Sequence, residues 1–226
     1  MSRILYSGTK NTSSWAFRAW LALKEQGIKF EERVVDIRQP QRLGNLARIA
    51  EFSPPGAVPV LVDGDAVIYD SLAIMEYANE LGGGSLLPTD IKLRAQARSL
   101  VAWQHSGLSN LCPRLSFESS FYPDKRAMTP DEVADTKRLF DVLEVLLQRN
   151  GGPFLFGALS LADLVLVPTM VRIMSHGPDS DSWPLTGGWH ERLASRGSVQ
   201  EWMQEAMGLP PVLLDGYRCP GDGPRV

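Results

Sequence analysis

Residues 11 to 15 read Asn-Thr-Ser-Ser-Trp, a run of small amide and hydroxyl side chains between a strand-like stretch, RILYSG, and a strongly apolar one, WAFRAWLALKEQG. A helix N-terminus leaves backbone N–H groups unpaired and carries the positive end of the helix dipole. A serine hydroxyl held there can hydrogen-bond a bound thiol and favour its thiolate, in the same field that lowers cysteine pKa values at helix starts. The plainer reading of the run is a Ser or Thr N-cap and nothing more. A second constellation is AVPVLVDGD, where Pro59 stands at a strand entry and removes a ladder donor. A cis Val58–Pro59 bond would turn the backbone of Val58 outward to pair with an extended peptide; the plainer reading is a trans proline on an edge strand. The third is Asp70-Ser71 at the head of SLAIMEY. A helix start there can bind a carboxylate, with Ser71 adding its hydroxyl and Asp70 taking an ammonium group; the plainer reading is a capping pair.

The elements that must position these residues are legible from periodicity and turn chemistry. Residues 3–7 read as a strand and 14–27 as a helix apolar on most sides, which suits burial between layers. FEERVVDI reads as a strand, and 41–51 as a weaker helix. VPVLVDGDAVIYD reads as a hairpin about Asp63-Gly64, followed by the helix SLAIMEYANEL, which GGG stops. Beyond residue 89 no convincing strand appears. Residues 91–110 are helical. Thr129-Pro130-Asp131-Glu132 starts a helix that ends before Gly151, and Ser160-Leu-Ala-Asp163 starts a nearly all-apolar one. The tail from Leu209 is rich in Pro and Gly. Trp15 and Trp20 are expected in the core. The fold class is therefore α/β followed by all-α: a small mixed-sheet domain over residues 1–83 and an all-helical domain over 89–226.

Composition narrows the function. The 226 residues carry a net charge of −3 with no basic stripe, which argues against a nucleic-acid partner. No apolar run reaches the roughly 18 residues of a membrane span, and the N-terminus MSRILYSG does not read as a signal peptide. Cys112 and Cys219 read as reduced thiols of a cytoplasmic protein. His105, His176 and His190 lack ligand spacing, so no metal is expected.

Taken together and in this order, the motifs resemble the glutathione S-transferase family. VPVLVDGDAVIYDSLAIMEY is similar to its cis-proline, hairpin and serine-led helix, and ALSLADLVLVP to the helix start of its second domain. The NTSSW loop resembles SSCSW of the zeta class (the maleylacetoacetate isomerases) and serine loops of bacterial relatives. The resemblance implies a thioredoxin-like first domain that holds glutathione as co-substrate, a helical domain that takes a small electrophile, and a homodimer. Val58, beside cis-Pro59, would pair with the cysteinyl unit. Asp70 and Ser71 would hold the γ-glutamyl end, and Gln41 or Arg42 the glycine carboxylate. Aligned on Trp15, the zeta serine falls on Asn11; aligned on the bacterial loops, the active serine falls on Ser13. Ser13 is taken first as the thiol-activating group, Ser14 second, with Asn11 and Thr12 as supporting donors. His105 and Arg172 are candidates for the electrophile pocket. Two features depart from the family pattern: Asp70 stands where Glu or Gln is commoner, and Ala57 where many relatives carry Lys.

The resemblance implies a transferase that adds the glutathione thiolate to an aryl halide or activated alkene, or reduces a peroxide. The alternatives are a glutathione-dependent isomerase of the maleylacetoacetate kind and a non-catalytic module that binds glutathione or other ligands.

Overall fold

In the computed structural model, residues 3–106, 108, 111–214 and 216–217 are described, with Pro113 by its backbone alone; Cys219 lies outside them. The first strand, β1 (Arg3–Gly8), pairs in parallel with β2 (Glu31–Val35) and antiparallel with β3 (Val60–Asp63), which pairs with β4 (Ala66–Ile68). The sheet order among the described residues is β2-β1-β3-β4. The β3–β4 turn passes through Gly64 at φ 64°, a left-handed conformation that a glycine adopts without steric penalty. Three helices accompany this sheet: α1 (Ser14–Glu25), α2 (Arg42–Ala50) and α3 (Ser71–Leu81).

After α3 the described chain is helical apart from isolated bridges at Phe154–Gly157 and Phe156–Ala158. The helices are α4 (Ile91–Ser106), α5 (Leu111–Arg114), α6 (Pro130–Asn150), α7 (Leu161–Met174), α8 (Pro184–Ala194) and α9 (Gly197–Met207), with a 3-10 turn at Glu118–Phe121. The expected order, a small mixed sheet with helices and then an all-helical half, is the order found. Among the described residues, no helix is long and apolar enough to cross a membrane.

Helix α1 joins the halves. It packs on α3 and β1 on one side and on α7 and α9 on the other. That accounts for its apolar composition all round: Phe17, Trp20, Leu21 and Leu23 are all buried. Trp20 is in the core as expected. Trp15 is not: it is 37% exposed, the one side chain of the first turn of α1 that is not buried. The α7 start is closed by Asp163, whose carboxylate accepts from the Ser160 amide at 2.8 Å and the Ser160 hydroxyl at 2.6 Å. The α6 start is a capping box, with Glu132 accepting from the Thr129 amide at 2.8 Å. Helix α7 runs on through Pro168 without a break. The irregular tail returns to the sheet domain, where the carbonyl of Pro210 accepts from the Asn11 side chain at 2.8 Å.

Candidate active site

The turn from β1 into α1 sets the centre of the site. The Thr12 and Ser13 amides both donate to the Thr9 carbonyl at 2.9 Å. Ser13 is itself the N-cap of α1, its Oγ accepting from the Ala16 amide at 3.2 Å, and Ser14 is the first helical residue. Gly8 makes the approach possible, because a Cβ there would stand 2.6 Å from the Ser13 Cβ and 3.0 Å from its Oγ. Ser14 Oγ accepts from Arg18 Nη1 at 3.4 Å. Each hydroxyl therefore has a donor on its oxygen, and neither proton is committed among the described residues. No acidic residue stands in the first turn of α1, so the positive helix end is unneutralised there.

Two clefts meet at this turn. The larger, about 400 Å³, is lined by Thr12, Ser13, Ser14, Arg42, Glu118 and Arg172 among others. The smaller, about 270 Å³, is lined by Pro59, Tyr69, Asp70, Ser71 and His105. Trp15, Ala57 and Val58 line both, so the two are adjoining halves of one groove across the junction of the domains. The Val58–Pro59 bond is cis. Asp70 caps α3, with Oδ1 accepting from the Leu72 amide at 2.9 Å, and Ser71 is buried beside it as the first helical residue. The other carboxylate oxygen of Asp70 lies 3.2 Å from Nε2 of His105, whose ring meets Trp15 edge-on with centroids 5.2 Å apart.

Three expected residues fall elsewhere. Asn11 is buried away from both clefts, its amide nitrogen donating to Pro210 and its oxygen accepting from Thr12 Oγ1 at 3.4 Å. A side chain tied to the tail in this way is not presented to a ligand in the groove. Gln41 is exposed just before α2 and lines neither cleft, whereas Arg42 lines the larger one. His105, expected in the electrophile pocket, belongs to the smaller cleft through Asp70 and Trp15.

The floor of the larger cleft is cationic. Arg172 is 2% exposed, with Nε donating to the Pro168 carbonyl at 3.3 Å and Nη1 to the Cys112 carbonyl at 3.2 Å. Arg18, 1% exposed, lies behind Ser14 and also reaches the Val165 carbonyl at 2.8 Å and Thr169 Oγ1 at 3.3 Å. Burial, then the neighbouring charge of Arg172, lowers the pKa of Arg18 to about 9. Glu118 lines the same cleft, and burial pushes its carboxyl above the usual range against the pull of Arg172 and Arg42. The sequence reading passed over Arg18, although one charge inside WAFRAWLAL was its signal. Cys112, Ser116, Phe117 and Glu118 carried no local signal, since they come to the cleft from α5 and the 3-10 segment.

The sequence matches two family models: glutathione S-transferase, N-terminal domain, over residues 12–81, and glutathione S-transferase, C-terminal domain, over residues 117–206. Glutathione S-transferase 1 of Dianthus caryophyllus is 35% identical over 187 residues, spanning 80% of this chain and 82% of its own length. A zeta-class glutathione S-transferase of Euphorbia esula is 31% identical over 199 residues, spanning 85% of this chain and 87% of its own. A glutathione transferase homologue from Burkholderia gl BGR1, crystallised with bound glutathione, superposes with a TM-score of 0.69 at 25% identity, over 93% of this chain and 100% of that one. With both domains matched and relatives aligned along most of its length, the chain belongs to the glutathione S-transferase family of enzymes.

Proposed function

We propose that this enzyme activates the thiol of glutathione with the hydroxyl of Ser13 and conjugates it to small electrophiles bound in the larger cleft. One observation carries the reading. Ser13 Oγ, filled as an acceptor by the Ala16 amide, sits at an unneutralised helix start on the wall of the groove, with its own proton left to donate. A donor aimed at a sulfur stabilises the thiolate, and each unit by which the thiol pKa falls is worth ~1.4 kcal/mol. Ser14, polarised by Arg18, adds a second donor, and Thr12 stands beside them.

Glutathione lies along the groove in this reading. Its γ-glutamyl end meets Asp70 and Ser71, its cysteinyl backbone meets Val58 beside Pro59, and its glycine carboxylate meets Arg42. The electrophile enters against Phe117 and Arg172. The thiolate attacks it, a carbon–sulfur bond forms, and the leaving group departs with its electron pair. The thiol proton has by then passed to solvent. A homodimer in the cytoplasm is part of the same proposal and rests on family resemblance; a particle of twice the chain mass in light scattering is the expected result.

The test is the ultraviolet thiolate absorbance of enzyme-bound glutathione against pH, in wild type and Ser13→Ala. The bound thiol of wild type should titrate well below free glutathione and move back toward it in the variant. A thiol that titrates normally in both would reduce Ser13 to a helix cap. The zeta-class relative supports a second reading, a glutathione-dependent isomerase. Stoichiometry separates the two, because conjugation consumes glutathione and isomerisation returns it.

A further inference from the structure

The half-buried and buried cations of this protein mostly have anions. Arg126 pairs with Glu132 at 2.7 Å, Lys10 with Glu32 at 2.8 Å, and Arg196 with Glu25. Of the three fully buried cations among the described residues, Lys10, Arg18 and Arg172, the two arginines differ. They are buried side by side about the Cys112 thiol, which both approach; their other hydrogen bonds go to carbonyls or hydroxyls, and among the described residues no carboxylate ion-pairs with either. Like charges taken out of water together are expensive unless an anion joins them. Glu118, on the same wall, is too far to form that pair, and it faces Arg42 as well as Arg172. Three arginines and one carboxyl leave the cleft with an excess of positive charge.

Arg172 is the one of the buried pair that lines the cleft, in the same space as Ser13 and Ser14. Its guanidinium lies 5.7 Å from the ring centre of Phe117, so an apolar wall stands beside the charge. An unsaturated or aromatic body with a negative end fits that pairing of surfaces. A planar guanidinium suits a carboxylate in particular.

We propose that the larger cleft selects electrophiles that carry a carboxylate, which Arg172 binds with Arg18 reinforcing the positive field from behind. This rests on reading the cleft as the conjugation site. A matched reaction is glutathione with 4-chloro-3-nitrobenzoate: the thiolate sulfur bonds the ring carbon that carries chlorine, the carbon–chlorine bond breaks, and chloride leaves with the electron pair.

The first measurement does not need turnover. It is calorimetric titration of wild type with 3-nitrobenzoate and with 3-nitrobenzamide, each in the presence and absence of glutathione. The acid should bind at least tenfold tighter than the amide, and Arg172→Gln should erase the difference while leaving amide binding within twofold. Equal affinities in wild type overturn the proposal, whether or not the variant folds. An acid preference that survives in folded Arg172→Gln overturns the assignment to Arg172. Loss of glutathione affinity in that variant without any acid preference in wild type assigns Arg172 to glutathione's own carboxylate, and also overturns it. Turnover of 4-chloro-3-nitrobenzoate against its amide, each divided by its uncatalysed rate, should show the same tenfold preference. The thiolate titration reports separately on the transferase reading, so a normal bound thiol beside a clear acid preference would sink that reading and leave the carboxylate subsite standing.

Discussion

The starts of α1 and α7 share one local design, a serine N-cap at the head of an apolar helix, and they end in opposite states. At α7 a carboxylate is built in. Asp163 is fully buried and gathers the Ser160 amide and hydroxyl, the Leu155 amide at 3.0 Å and the Trp189 indole at 2.8 Å. Its acceptors are used and the helix end is neutralised from within. In the first turn of α1 no acid is present, the cap hydroxyl opens on a groove, and the arginines behind it form no ion pair among the described residues. A cap is structural when its negative charge is part of the chain. It becomes a site when that charge has to come from a ligand, here a thiolate.

The largest effect should come from opening the closed start. Asp163→Ala strands four donors in the core and should cost about 3 kcal/mol or more in urea unfolding. A loss under ~1 kcal/mol would mean that Asp163 does not close α7, and the comparison would break.

Ser13→Ala tests the open start. It should lower kcat/KM for a chloronitroarene about 100-fold, the size expected on removing one donor to a developing anion, and lower stability by only ~1 kcal/mol, as for a lost cap. Gly8→Ala should weaken activity by the same route and less severely, since its Cβ at 2.6 Å from the Ser13 Cβ forces the serine to shift.

Ser14→Asp would give α1 the acid that α7 has. The new carboxylate faces Arg18, now 3.4 Å from Ser14 Oγ, so stability should hold or rise. The bound thiol pKa should rise by about one unit, and activity at neutral pH should fall roughly tenfold. An unchanged thiol would show that the helix end contributes nothing to thiolate stability.

The contrast between the two starts also marks what was legible in the sequence. Caps, the Asp63-Gly64 turn and the serine heading α3 are local signals, and each names its own structure; Pro59 read locally as a trans edge-strand proline, and only the resemblance implied the cis bond found. What surrounds a cap is not local. Ser13 and Ser160 both head apolar helices, and the sequence separates them only by Asp163 three residues on; that the cap without an acid opens on a groove is set by its tertiary neighbours. Asn11 aligned with a family serine, yet a contact across the chain with Pro210 took its amide. Trp15 read as core because its helix is apolar all round, but its side chain lines the groove while its neighbours in the turn are buried. Arg172 was visible as one charge in an apolar helix; that it shares the cleft floor with Cys112 and Phe117, backed by Arg18, is a fact of packing.

The smallest effects lie in the pH dependence of stability, where the closed starts of α6 and α7 should themselves diverge. At α6, burial pushes Glu132 up, but the Arg126 guanidinium and the Thr129 amide outweigh it and hold the carboxyl below its ordinary range. The unfolded state then binds more protons than the folded one near the ordinary Glu pKa of about 4.3, so this contribution is full above that pH and is lost as pH falls through the lowered folded value. At α7, burial prevails over the four donors and raises Asp163. The folded state there binds more protons, so its contribution is full below the ordinary Asp pKa of about 3.9 and declines as pH rises through the folded value. Glu132→Gln should therefore lose less stability, relative to wild type, as the solution is acidified, and Asp163→Asn should lose more. The check is urea unfolding of both variants across the acid range. Differences that run in the same direction with pH would mean that the two carboxylates meet the same environment, and that the direct Arg126 ion pair, which Glu132 has and Asp163 lacks, makes no difference to the cap.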